Sequence, residues 1–269
     1  QQQALTDPDF RAEAELGARL SAAQIQQLNL RRGALGSHMR QFMQRYDLLV
    51  TPSVSVPAFE ARPAGTVPMD PQAMQGCQAV INLAGAGIAD RPWSPRRKAE
   101  LIQSRVNSTE LLIKQMHALD QPPALMINAS AIGYYGHQEG PLPMEEEAGP
   151  GQGFLAQCTA AWEGACQGLD PKVRLVKLRL GLVLSAHGGI FPRLTLPIQW
   201  GLGNRLGSGK QILSWIHLND VLGIIDLLLN QEQLEGPFNL VAPQYLSQWE
   251  FTQALARYLH RPLWAPAVP

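Results

Sequence analysis

Four short runs, Ala79–Leu83, Ala124–Ala129, Val173–Leu180 and Phe238–Val241, are rich in Val, Ile, Leu and Ala, and stretches with helical spacing separate them. A strand with one face in water alternates apolar and polar residues. A strand covered by helices on both faces is free to be apolar at almost every position. Strands that alternate with helices pair in parallel, because the helix carries the chain back across the sheet. From about residue 71 the chain is therefore expected to be a three-layer α/β unit built on a parallel sheet.

The intervening segments fit that pattern. Ser94-Pro95 opens a predicted helix through Ala118, with Leu101, Val106, Leu111, Leu112 and Met116 spaced along one face. Further helices are predicted over Phe154–Gln167, over Asn219–Leu229 with Asn219 as the cap, and over Gln248–Leu259. The first 70 residues read differently. Two helices, Asp9–Leu20 and Gln24–Tyr46, precede a short strand, Leu48–Val50, and then Pro52, Pro57, Pro63, Pro68 and Pro71 follow in close succession. Proline has no N–H to give to a sheet or helix, so this stretch is extended and holds the expected boundary between a helical segment, 1–70, and a domain, 71–269. Leu48–Val50 is expected to pair with the open edge of the sheet.

Lys plus Arg and Asp plus Glu both number 22, so the net charge is zero and neither nucleic acid nor an anionic membrane is an expected partner. No apolar run approaches the roughly 18 residues a membrane span needs, and the start QQQALTDPDF has no signal core. Cys77, Cys158 and Cys166 form no CxxC pair and are expected to be reduced thiols in a cytoplasmic protein. The six histidines are scattered, which argues against a metal site.

Gly85-Ala86-Gly87 follows a strand and admits three readings: a dinucleotide fingerprint, a later strand end where small residues let the backbone approach a ribose, or an ordinary tight turn. The fingerprint needs a third small residue where Asp90 stands and a helix that begins at once, whereas Arg91-Pro92-Trp93-Ser94-Pro95 delays it. Gly201–Lys210 (GLGNRLGSGK) is off by one for a phosphate loop, Gln211 stands where Ser or Thr would hold magnesium, and a helix-like segment rather than a strand precedes it, so a glycine-rich hairpin or loop is expected. Ser130, just past a strand, is open to two readings, a cap or the substrate-facing hydroxyl that the resemblance given below implies. Met144–Glu147 reads as a solvated charged loop, and His217 and Asp220 as structural groups at the start of a helix.

The segments INLAGAGIADRPWSPRRKAELIQSR, NASAIGYYG, AAWE, LRLGLVLSAHGGIFPRL, SWIHLNDV and GPFNLVAP occur in this order from Ile81 to Pro243. In them the chain resembles the extended short-chain dehydrogenase/reductases, and among these the NAD(P)-dependent epimerase/dehydratase-like, cell-division-inhibitor-like proteins. The resemblance implies a Rossmann-like sheet, NADP or NAD as cofactor and a small-molecule substrate. It implies cofactor contacts at Asn82, Ala84, Gly85, Arg105 and Arg179, and catalytic roles for Ser130 and Tyr135. Tyr46–Pro71 (YDLLVTPSVSVPAFEARPAGTVPMDP) is instead similar to a stretch of amidase-signature hydrolases, without that family's Ser–Ser–Lys tract.

Two departures shape the functional expectation. The glycine loop of the first βαβ unit has no counterpart upstream of Ala79, so the fold is expected to be a truncated Rossmann-like sheet. The Tyr-x-x-x-Lys pair that performs proton transfer in the resembled superfamily is replaced by Leu155 and Thr159. Impaired cofactor binding is the consequence, with a catalytically silent fusion as the alternative. Substrate and oligomeric state are left open.

Overall fold

The computed structural model describes residues 48–51 (backbone only), 74–137, 143–185 and 190–263. The predicted helices Asp9–Leu20 and Gln24–Tyr46, and the amidase-like stretch apart from its strand, lie outside the described residues. A five-stranded sheet runs β1 (Leu48–Thr51), β2 (Ala79–Asn82), β3 (Leu125–Ala131), β4 (Arg174–Leu180) and β8 (Gly236–Leu240), in that spatial order. Every neighbouring pair is parallel. The expected pairing of the upstream strand with the sheet edge is present, with Leu48 opposite Ala79 and Thr51 opposite Asn82.

Helix α1 (Pro95–His117) joins β2 to β3, and α2 (Phe154–Gly164) joins β3 to β4. Strand alternation decides what each face touches. Ala79, Ile81, Leu125, Ile127, Val176 and Leu178 point to one face, where Val221, Ile225 and Leu228 of α4 (Leu218–Asn230) complete the core. Val80 and Met126 point to the other, against Leu112, Ile113 and Met116 of α1. This second face changes character along the strands. It is apolar at their amino ends and polar at their carboxyl ends, where Asn82, Asn128, Ser130 and Arg179 are all buried.

A smaller lobe follows β4. It contains β5 (Leu182–Leu184) paired with β7 (Trp215–His217), and β6 (Ile212–Leu213) paired with β9 (Leu246–Ser247). Helix α3 (Phe191–Gln199) and helix α5 (Gln248–Tyr258) belong to it. Helix α3 is the helix-like segment expected before Gly201, whereas β5, β6 and β9 are strands the sequence reading does not anticipate. Pro192 occupies the first turn of α3 and Pro197 lies inside it, an arrangement a propensity argument opposes.

Several boundaries differ from expectation, among them β3, which runs two residues further, to Ala131. Helix α4 starts one residue earlier, and its cap is His217, whose Nδ1 accepts the Asn219 N–H, so Asn219 is inside the helix. Helix α2 stops at Gly164 and continues as a 3-10 turn over Ala165–Gly168. Strand β8 is shifted toward the amino end, over Gly236–Leu240. Helix α1 begins as expected: Ser94 Oγ accepts the Arg97 N–H, and Pro95 fills the first helical position.

Candidate functional site

The carboxyl ends of β2, β3 and β4 lie side by side, and α1 and α2 cover their polar face. Asn82 is the innermost anchor. Its Nδ2 donates to Thr109 Oγ1 at 3.0 Å and to Asn128 Oδ1 at 2.7 Å, while its Oδ1 accepts the Ala84 N–H at 3.2 Å. The strand end is thereby tied both to α1 and to the neighbouring strand. The turn that follows is equally fixed, since the Ala86 N–H donates to Ser104 Oγ and an Arg97 guanidinium N–H donates to the Gly87 carbonyl. Helix α1 begins only at Pro95, so its terminus does not meet Gly85–Gly87, and this is not the geometry of a dinucleotide fingerprint. A side chain at Gly87 would collide with the Asp90 carboxylate.

Arg105, on α1, is half-buried and packs over the same turn. A Cβ on Gly85 would lie 3.1 Å from its Cγ and Cζ. Its Nη1 donates to the Leu101 carbonyl, and its guanidinium stacks 5.0 Å from the centre of the Trp162 ring. Burial pushes its pKa down; Cys158 acts in the opposite direction, and the nearby Arg97 adds to the lowering.

One strand further on, Ser130 Oγ donates to Glu163 Oε1 at 2.7 Å. Glu163 also accepts two hydrogen bonds from Arg179, Nε to Oε1 at 2.8 Å and Nη2 to Oε2 at 3.0 Å, a bidentate pair. Burial opposes ionisation of Glu163, but the hydrogen bonds from Arg179 and Ser130 and the charges of Arg179 and Lys177 outweigh it, and its carboxyl is held below the usual range. Arg179 Nη1 donates to Tyr135 Oη at 2.8 Å and to the Glu146 carbonyl, and the guanidinium lies 3.7 Å above the Tyr134 ring. Tyr135 in turn donates to Asn239 Oδ1 at 2.7 Å. Ser130, Glu163, Arg179, Tyr135 and Asn239 thus form one hydrogen-bonded chain across β3, β4 and β8.

The structure brings the expected residues together in two groups, Asn82, Ala84, Gly85 and Arg105 at the end of β2, and Ser130, Tyr135 and Arg179 in the buried chain. Ser130 sits within β3, so it caps no helix. Glu146 is more than a member of a solvated loop, because its carboxylate accepts the Asn239 N–H and its carbonyl accepts from Arg179. Glu163, Asn128 and Asn239 are participants the sequence reading passes over. The signal for Glu163 was the single charged residue of an otherwise uncharged helix, a carboxylate that must find a cation when buried. Leu155 stands beside Gly133, exposed, and Thr159 spends its hydroxyl on the Leu155 and Ala156 carbonyls. Neither supplies an acid or base.

A parallel sheet with helices on both faces and a polar layer at its carboxyl ends is a Rossmann-like α/β domain. The profile of the NAD dependent epimerase/dehydratase family matches residues 70–240. An epimerase family protein of Mycobacterium bovis is 41% identical over 194 residues, 72% of this chain and 64% of that protein. One from Staphylococcus aureus is 39% identical over 197 residues, 72% of this chain and 65% of that protein. Among solved structures, the human epimerase family protein SDR39U1 (isoform 2), determined with NADPH, superposes with a TM-score of 0.67 at 32% identity, over 71% of this chain and 65% of that one. A nucleoside-diphosphate sugar epimerase from Corynebacterium glutamicum does so with a TM-score of 0.61 at 29% identity, over 73% and 42%. The chain belongs to the NAD dependent epimerase/dehydratase family. It spans 64–65% of the length of the curated relatives it matches.

Among the described residues, no helix is long and apolar enough to cross a membrane, and no cluster of His, Cys, Asp and Glu could hold a metal ion.

Proposed function

We propose that this domain holds the nicotinamide half of NADP or NAD against the end of β2, and that it acts on a small molecule bearing a hydroxyl or carbonyl group. The observation that carries this reading is the alignment of the polar ends of β2, β3 and β4 under α1 and α2, since parallel α/β sheets take ligands at the carboxyl ends of their strands. Asn82 and Ala84 keep that end rigid, and Gly85, having no side chain, lets Arg105 pack directly against the turn. NAD(P), when bound, supplies hydride chemistry. The chain's own residues bind and orient. Ser130 and Tyr135 are the proposed hydroxyls of the reacting end, and Arg179 donates to Tyr135 in the part that the lysine of a Tyr-x-x-x-Lys pair would take.

Affinity is expected to be low. Pyrophosphate binding in this class depends on amides of a glycine loop at a helix terminus, and β1 runs instead into Thr51-Pro52, whose proline carries no N–H. Each charge-assisted phosphate contact is worth about 1.5–3 kcal/mol, so losing two or three weakens a micromolar site roughly a thousandfold or more. Calorimetric titration with NADPH and NADH tests this: dissociation constants near the millimolar range are expected, and micromolar binding would overturn the impairment.

The second reading is a catalytically silent fusion of an amidase-like segment, ending near residue 70, with a shortened dehydrogenase-like domain. Leu155 and Thr159 at the acid–base positions favour it. A measurable hydride transfer to any small carbonyl compound would exclude it.

A further inference from the structure

The buried chain from Ser130 to Asn239 has a proton order, and groups that can act in only one way fix it. A guanidinium has N–H donors and no acceptor, whereas an ionised carboxylate accepts and never donates. Arg179 is therefore the donor to Glu163, to Tyr135 Oη and to the Glu146 carbonyl. Glu163 is the acceptor for Arg179 and for Ser130, whose hydroxyl proton points into Oε1 at 2.7 Å. Burial works against the charge on Glu163, but the hydrogen bonds from Arg179 and Ser130 prevail, so at neutral pH it has no proton to offer. At the other end of the chain, Asn239 Nδ2 faces the Met144 carbonyl, which can only accept, and this turns Oδ1 toward Tyr135. The phenol proton of Tyr135 is thus committed to Asn239, as the hydroxyl proton of Ser130 is to Glu163. Turning the Ser130 proton outward would break a charge-assisted bond, roughly twice as strong as a neutral one. Among the described residues nothing donates to Ser130 Oγ, and its lone pairs are what it offers a ligand.

We propose that Glu163 is a positioning residue that makes Ser130 a hydrogen-bond acceptor toward the ligand, so that this strand end selects a hydroxyl group over a carbonyl. The proposal deepens the reading above and rests on it for Ser130 as a residue of the reacting end. A ligand hydroxyl donates to Ser130 Oγ and leaves the buried chain undisturbed. A ligand carbonyl brings only lone pairs to an oxygen whose proton is already spent, and a site built to receive a donor rejects the analogue that lacks one. The chain thereby tells apart the alcohol and carbonyl forms of one molecule.

The test titrates the full, isotope-labelled chain with cyclohexanol and with cyclohexanone, rings of similar size that differ in whether the oxygen carries a proton. Binding is followed by the amide NMR shifts of Ala129, Ser130 and Ala131. The wild type is expected to bind the alcohol roughly tenfold or more tightly than the ketone, the cost of one unmatched polar contact. Ser130→Ala should remove that difference. Glu163→Gln should shrink it severalfold, because an amide can donate to Ser130 and release the serine proton toward the ligand. If Glu163→Gln does not fold, Glu163→Leu combined with Arg179→Met carries the test, since it removes both charges together and leaves neither buried alone. That double variant should also lose the preference. A merely structural role for Glu163 would weaken both ligands alike and leave their ratio unchanged. An unchanged ratio, equal affinities in the wild type, or a preference that survives Ser130→Ala would overturn the proposal and leave the reading of the strand end in place. Failure of either probe to move those amides in the wild type would overturn both.

Discussion

Glu163 shows how much one side chain can organise in a buried polar layer. It accepts from Ser130 on β3 and twice from Arg179 on β4, and its own helix lies above both strands. Replacing it with Gln keeps the shape but leaves the Arg179 guanidinium buried without its counter-charge, a loss of about 3–5 kcal/mol by analogy with broken buried pairs. The pH dependence follows from the direction of the shift. The folded carboxyl titrates below its usual 4.5, so its stabilising contribution is complete above that value and is lost as pH falls through the depressed folded value. Thermal melts should therefore show a large wild-type advantage over Glu163→Gln at pH 7 that narrows in the acid range. An advantage that is the same at every pH would contradict the assignment. In the sequence, Arg179 and Ser130 stood out by resemblance, whereas Glu163 needed the tertiary structure. A helix sequence indicates that a buried carboxylate wants a cation, but not which strand supplies it.

At the scale of elements, the start of α1 was the most legible feature and the short strands the least. Ser94 and Pro95 mark the start of α1 in sequence and in space. The start of α5 carries a full capping box, in which Ser247 Oγ accepts the Glu250 N–H and Glu250 Oε2 accepts the Ser247 N–H. Ser247→Ala should destabilise the chain by about 0.5–2 kcal/mol, read as a shift of the urea midpoint without a change in slope. A shift indistinguishable from zero would mean that α5 is held by its packing alone. By contrast, α3 showed in sequence only as a helix-like segment without bounds, and the short strands β5, β6 and β9 had no local signature. Two- and three-residue strands carry too few positions to show a period, and α3 holds Pro197 in its interior. His217 was legible as a structural group at the start of a helix, but its role as the cap of α4 was not, because an imidazole accepts at a helix terminus only when its ring is turned by its surroundings.

For the molecule as a whole, the position of β1 is the most consequential feature. It occupies the edge beside β2 and shields a row of backbone groups that would otherwise invite pairing with another chain. A proline within it, Leu49→Pro, removes a ladder N–H and should loosen that edge. The expected result is a lower melting temperature with concentration-dependent light scattering. A variant that melts and scatters like the wild type would show that β1 contributes nothing to the closed edge.

The sequence by itself determined the strand–helix alternation and the parallel sheet from Ala79 onward. Each of these is written in local pattern: apolar runs, caps, and the spacing of Gly and Pro. The tertiary structure alone decided that Asn82, Asn128 and Thr109 lock one strand end, and that Ser130, Glu163, Arg179, Tyr135 and Asn239 form a single chain of hydrogen bonds. Tyr135 and Asn239 stand 104 positions apart, and no local rule reaches across that distance. Their pairing follows from the register of β4 on β8, which sets Arg179 opposite Asn239, and register is fixed only when the core closes.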